Sequence, residues 1–123
     1  MNNKILIVDD DLLSLRVTSV LLRSKGYEIQ TIDNCTGVFD AIANFQPGLI
    51  ILDAQLPDGD GRVICDQLKT SDLTQHIGII ICSGLSDLEV CYEQQGPPDL
   101  VLQKPFDINL FLHKISEMLP VAA

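Results

Sequence analysis

Several polar side chains in this 123-residue sequence stand directly after apolar runs. Asp9, Asp10 and Asp11 follow the run at 5–8, and Asp53 follows the run at 49–52. Ser83 follows the run at 77–82, and Lys104 follows the short predicted strand at 100–103, which ends on Gln103. If these runs are parallel strands, their carboxyl ends share one edge of the sheet. At least three carboxylates, a hydroxyl and an ammonium then meet in one crevice. Crowded carboxylates repel, and one of them takes a proton unless a cation intervenes. An all-oxygen site that keeps some of its waters suits Mg²⁺. A carboxylate can also act as a nucleophile and carry a phosphoryl group. Transfer of that group asks for positioning and neutralisation of its three oxygens. The cation answers for one oxygen, the Lys104 ammonium for another, and the Ser83 hydroxyl with nearby backbone N–H groups for the third. Taken singly, each residue is weak evidence. Asp11 could equally cap a helix, Ser83-Gly84 could be a turn, and Lys104 could be a surface lysine. The signal is their joint placement at strand ends.

The intervening sequence supplies the elements that such a crevice needs. Continuous apolar runs at 5–8, 49–52 and 77–82 are the mark of strands covered on both faces, and 27–32 and 100–103 complete five. Between and after them, helices are predicted over 12–25, 36–45, 62–70, 87–95 and 107–119. Gly26, Pro47-Gly48 and Gly96-Pro97-Pro98 act as stops, and Asp107 as an N-cap. A turn-rich loop covers 57–61. Five βα units without linker or repeat predict one domain over 1–123. Its expected fold is α/β, a doubly wound five-stranded parallel sheet of flavodoxin-like order 2-1-3-4-5 with helices on both faces. A closed barrel needs eight units. The spacing alone leaves the strand order open.

Composition narrows the function. With 46% hydrophobic and 20% charged residues the chain is globular, and at this length it buries roughly two-thirds of its unfolded surface without staples. No apolar run reaches the ~18 residues that span a bilayer, and no secretory leader is expected, which predicts a cytoplasmic protein. A net charge of −9, from 17 acidic and 8 basic residues, argues against direct binding to nucleic acid or an anionic membrane. Cys35, Cys65, Cys82 and Cys91 show no CxxC spacing, and His76 and His113 lie near no cysteine pair. Reduced thiols are expected rather than a zinc site.

These residues resemble the response-regulator receiver family. The resemblance rests on Val8-Asp9-Asp10, Leu52-Asp53, Cys82-Ser83-Gly84 and Lys104-Pro105-Phe106, with the run Asp53-Ala54-Gln55-Leu56-Pro57-Asp58-Gly59-Asp60-Gly61. It spans essentially the whole chain. It implies that Asp53 is the phosphoacceptor, with Asp9, Asp10, Asp53 and the Gln55 carbonyl as Mg²⁺ ligands. Ser83 would bond the phosphoryl group and move when it arrives, and Lys104 would pair with it. The Lys104-Pro105 peptide would be cis. Gln55 and Leu85 would flank the phosphate and tune its lifetime. The donor would be a phosphohistidine on a sensor histidine kinase or phosphotransfer protein, and the receiver itself would catalyse transfer and later hydrolysis. The reader would be a downstream protein or output domain that the sequence does not name.

Two positions depart from the family pattern. An aromatic residue or histidine is usual three residues before the lysine, and here Val101 stands there; its stiff side chain cannot turn inward as a ring does. Just upstream, Gly96-Pro97-Pro98-Asp99 replaces a Gly-Ala-Asp-like segment and stiffens the approach to the last strand. The surface of the last two helices and the last strand is therefore expected to signal differently or to serve as a fixed docking face. Pairing of two copies through those helices, common in the family, is weakened as an inference. The alternative within the family is a degenerate receiver acting as a phosphorylation-independent binding module. A haloacid-dehalogenase-type phosphatase needs a second aspartate where Gln55 stands. An EF-hand beginning at Asp58 fails at Arg62 and Val63. A flavodoxin-like cofactor site is disfavoured by two tyrosines, no tryptophan and no glycine-rich loop.

Overall fold

The structure, a computed structural model, describes residues 2–84 and 88–121. Five parallel strands form the main sheet: β1 (Lys4–Val8), β2 (Glu28–Ile32), β3 (Leu49–Asp53), β6 (Gly78–Ser83) and β7 (Leu100–Gln103). Their order is β2-β1-β3-β6-β7, which is the expected 2-1-3-4-5 arrangement once a small hairpin is counted. That hairpin, β4 (Gln55–Leu56) with β5 (Gly59–Asp60), lies inside the stretch expected to be plain loop. Two-residue strands carry no periodicity by which a sequence could reveal them.

The strands alternate strictly between two cores, because successive side chains point to opposite faces. Leu6, Val8, Ile50, Leu52, Ile79 and Ile81 pack beneath α2 (Val38–Phe45) and α3 (Gly61–Lys69). Ile5, Ile7, Leu49, Ile51, Ile80 and Cys82 pack beneath α1 (Leu12–Ser24) and α4 (Ile108–Met118). Burial on both sides explains why these strands read as unbroken apolar runs. Asp53 continues the odd-numbered series of β3 onto the α1/α4 side.

Caps fix where the helices begin. Asp11 accepts the Leu13 N–H at 3.1 Å, so it is the N-cap of α1. Asp60 does the same for α3 through the Arg62 N–H at 2.8 Å. Asp107 accepts from the N–H groups of Asn109 and Leu110 at 2.8 and 3.3 Å. Asp107→Ala is expected to cost about 1 kcal/mol and to lower the melting temperature by roughly 4 °C, without changing metal binding; thermal unfolding beside a metal titration checks both.

The helix expected over 87–95 is corrected. Among the described residues this segment is a 3₁₀ helix, Leu88–Glu93. Its continuation is diverted to α3. The Gln94 side-chain amide donates to the carbonyls of Arg62 and Gly96 at 3.1 and 2.8 Å, and the Gly96 N–H donates to Asp66 Oδ1 at 2.8 Å. Pro97 and Pro98 then bar any α-helical extension. Asp99 completes the stitching: its carboxylate takes the Ile79 N–H at 2.8 Å and pairs with the Lys69 ammonium at 2.7 Å.

Candidate functional site: an acidic crevice at the strand ends

β1 and β3 are neighbours in register, with Val8 opposite Leu52. Asp9 and Asp53 are thus the next residues on adjacent strands and must emerge side by side. Both are buried, and Asp10 beside them is exposed. One oxygen from each of Asp9, Asp10 and Asp53 can be chosen so that all lie within 4.8 Å of one another. Three hard oxygen donors at that separation fit a divalent cation with waters to spare, so these three residues could bind a metal ion. Gln55, whose carbonyl was expected to join them, sits exposed on β4 immediately beyond.

Lys104 reaches this cluster from the end of β7. Its Nζ donates to Asp9 Oδ2 at 2.9 Å and lies 3.5 Å from Asp53 Oδ2. Burial opposes the ammonium's charge, but the hydrogen bond from Lys104 to Asp9 and the charges of Asp9 and Asp53 outweigh it, so its pKa is raised. The Asp53 carboxyl is also pushed up. Desolvation is the main cause and the Asp9 charge adds to it, while the Gln55 N–H at 3.0 Å and Lys104 pull the other way. Asp9 Oδ1 is occupied by the Asp11 N–H at 3.0 Å. One ammonium therefore faces three carboxylates, and the cluster is short of positive charge.

Ser83 ends β6, fully buried at 1% exposure. Its carbonyl accepts the Lys104 N–H at 2.8 Å, which locks the ends of β6 and β7 together and brings both residues to the edge where Asp53 lies. The Lys104-Pro105 peptide is cis, as expected. Leu85 lies outside the described residues. Val101 is half-buried against the α2/α3 core, and its N–H donates to the Tyr92 hydroxyl at 2.8 Å. An aromatic side chain thus touches this position from the 3₁₀ helix, a contact that sequence spacing did not reveal.

Sequence reasoning also passed over Gly61. A Cβ there would overlap the Asp53 carbonyl oxygen and press on Leu52. The Gly61 N–H donates to the Ala54 carbonyl at 2.9 Å. The glycine thus lets α3 start hard against the backbone of the acidic residue. The Asp-Gly pair at 60–61 was the available signal, and it read only as a turn.

The site has an electrostatic consequence. A carboxyl whose folded pKa is raised contributes its full stabilisation below its unfolded value near 3.8. For Asp53 that contribution is lost as pH rises through the higher folded value. Above that folded value the metal-free protein carries an unfavourable charge on Asp53 that a cation relieves. A divalent cation at about 100 times its dissociation constant is expected to add about 2.7 kcal/mol, or roughly 10 °C in melting temperature. The gain should shrink as pH falls and Asp53 protonates; melting curves with Mg²⁺ and with chelator over a pH series measure it.

A cleft of about 510 Å³ opens beside the cluster, lined by Asp9, Asp53 and Lys104 at one end and by Leu13, Val17 and Ile108 along its walls. These three apolar side chains are 71, 48 and 39% exposed, so an apolar surface adjoins the charged centre.

Residues 5–116 match the family model described as the response regulator receiver domain. The chain is 32% identical over 119 residues to the DNA-binding dual master transcriptional regulator RpaA of Synechocystis, covering 94% of this chain and 48% of that protein. It therefore spans about half the length of that relative. It is 30% identical over 122 residues to sporulation initiation phosphotransferase F of Bacillus subtilis, covering 98% of this chain and 97% of that protein. Among solved structures, a CheY-like response regulator receiver domain protein of Methanospirillum hungatei superposes with a TM-score of 0.86 at 29% identity, covering 97% of this chain and 94% of that one.

Proposed function

The chain belongs to the response-regulator receiver family of two-component signalling, and we propose that it acts there as a phosphorylation switch with the Asp53 carboxylate as acceptor. The observation that carries this reading is the Lys104 ammonium set between Asp9 and Asp53, 2.9 and 3.5 Å from their oxygens, beside three carboxylates close enough to share one cation. A degenerate receiver would not need all of these groups. The cation is Mg²⁺, held by Asp9, Asp10, Asp53 and the Gln55 carbonyl; when bound it supplies charge neutralisation for the phosphoryl oxygens.

The chain's own residues do the rest. An Asp53 oxygen attacks phosphorus, the bond from phosphorus to a donor histidine nitrogen breaks, and the imidazole leaves and takes up a proton. The Lys104 ammonium pairs with one phosphoryl oxygen, and the Ser83 hydroxyl donates to another. Hydrolysis of the resulting acyl phosphate by water resets the switch, with Gln55 and Leu85 setting its lifetime. The donor is a phosphohistidine on a sensor histidine kinase or phosphotransfer protein in the cytoplasm. The apolar side chains of Leu13, Val17 and Ile108 beside the charged centre are the surface against which such a partner would seat.

The product is read by a downstream protein or output domain. Contact with DNA by this chain is disfavoured by its charge of −9. The face formed by the 3₁₀ helix, β7 and α4 is a fixed docking face in this reading. Its support is the stitching of residues 94–99 to α3 and the Tyr92–Val101 bond. Structures with and without a beryllofluoride mimic compare that face directly, and ordinary displacement of β7 and the 3₁₀ helix would refute its rigidity. The acceptor role is tested by mixing the protein with a histidine phosphotransfer domain carrying labelled phosphate. Label should move to the wild-type chain and not to Asp53→Asn. Retention on the histidine, or equal labelling of the variant, would refute it.

A further inference from the structure

The hairpin β4–β5 carries Gln55, whose carbonyl is the fourth protein ligand in the reading above, and the turn at its tip is Pro57-Asp58. Leu56 anchors β4 in the α2/α3 core, but residues 57–59 at the tip are exposed, and a ligand on such a hairpin needs something to hold the tip still. The base is held by the Gly61 N–H on the Ala54 carbonyl and by the tight approach of Gly61 to Asp53. At the tip the hairpin's own two rungs leave it short of support, since a short two-stranded ribbon is marginal by itself.

Asp58 supplies that support from an unexpected direction. Its Oδ1 accepts the Cys35 N–H at 2.7 Å. Its Oδ2 accepts both the Thr36 N–H at 2.9 Å and the Thr36 hydroxyl at 2.5 Å. Both oxygens are thus engaged, across 22 and 23 residues of sequence, with the segment that leads into α2. Bonds from N–H and O–H groups to an ionised carboxylate are the stronger kind. Here they converge on one side chain, and they hold its carboxyl down at about 2. Gly59 fits beneath this clasp because a Cβ there would press on Cys35, 3.0 Å from its Sγ.

We infer that Asp58 is a positioning residue for the metal-binding loop: by fastening the tip of the β4–β5 hairpin to Cys35 and Thr36, it holds the segment that presents the Gln55 carbonyl to the cation. It touches neither the metal nor the phosphoryl group. The inference rests on the receiver reading for the role of Gln55. It assigns the Pro-Asp-Gly turn a function that neither a calcium loop nor a simple turn explains. Outer partners that orient a metal's ligands commonly affect affinity as much as some of the ligands do.

The test is a calorimetric Mg²⁺ titration of the metal-free 123-residue chain, which needs no phosphoryl transfer and so stands even if the acceptor role fails. Asp58→Ala should weaken Mg²⁺ binding about tenfold. Asp58→Asn, which keeps one accepting oxygen, should recover most of that loss, and Thr36→Val, which removes only the hydroxyl, should fall between wild type and Asp58→Ala. The phosphorylation rate with acetyl phosphate should follow the same series as a raised half-saturating Mg²⁺ concentration, with the rate at saturation changed less than about threefold. Mg²⁺ affinity unchanged in Asp58→Ala, or lowered equally in Asp58→Ala and Asp58→Asn, would overturn the inference. So would an effect confined to thermal stability. Should Asp58→Ala not fold, unchanged affinity in both Asp58→Asn and Thr36→Val would overturn it on its own.

Discussion

Gly61→Ala is expected to lower folding stability by about 3 kcal/mol, at the upper end of the range for overpacking. The added methyl would meet the Asp53 carbonyl oxygen and Leu52. Neither is a flexible side-chain end, so α3 or the end of β3 must shift. The shift falls on Asp53, the proposed acceptor and metal ligand, and the folded fraction should also bind Mg²⁺ more weakly. Gly84→Ala is the matched control, because among the described residues a Cβ there meets nothing within 4 Å; it should leave stability within about 1 kcal/mol of wild type. Chemical denaturation of the two variants decides the point. Equal stabilities would mean that the approach of α3 to β3 is looser than the geometry states.

Lys104→Ala is expected to slow phosphoryl acceptance about 100-fold, the typical cost of removing one donor from a preorganised transition-state site. The loss should appear in the rate at saturating Mg²⁺, because in the proposed reaction the ammonium serves the transferring group rather than the cation. That distinguishes it from Asp58→Ala, where the loss is one of Mg²⁺ affinity. Removing Lys104 also deletes an interaction that holds the Asp53 carboxyl down against burial and the Asp9 charge. In the metal-free variant Asp53 should therefore titrate higher than in wild type, a direction that carboxyl-carbon resonances followed against pH report. A variant with the wild-type rate would remove Lys104 from the account.

The crevice was legible in the sequence because Asp9, Asp53 and Ser83 each follow a continuous apolar run of the kind that marks a buried strand. Val8 before Asp9, Leu52 before Asp53 and Cys82 before Ser83 fix both the element and the end of it on which the polar group sits. Once parallel pairing is assumed, register does the rest, and Val8 opposite Leu52 makes Asp9 and Asp53 neighbours. The helix over 87–95 went wrong for a physical reason. Its local pattern is helical, but Gln94, Gly96 and Asp99 find better partners on Arg62, Asp66 and Lys69 than an extended helix would give them. Long-range competition of this kind leaves no periodic trace.

The same is true of the two contacts that sequence reading missed. Tyr92 meets Val101 across nine residues and a chain reversal, and Asp58 meets Cys35 and Thr36 across more than twenty. In the sequence Asp58 reads as the first position of a calcium loop that Arg62 and Val63 spoil. A carboxylate at a turn tip can face solvent, a cation or a neighbouring loop, and only the fold says which.

The central claim is that Asp53 accepts a phosphoryl group at a site that needs a divalent cation. Intact-mass measurement after incubation with acetyl phosphate tests it most directly, with Mg²⁺ or chelator, for wild type and Asp53→Asn. The account predicts a gain of one phosphoryl group by the wild-type chain in Mg²⁺ alone, and no gain in chelator or in the variant. A wild-type chain that gains no mass in Mg²⁺, or an Asp53→Asn chain that gains as much, would contradict it.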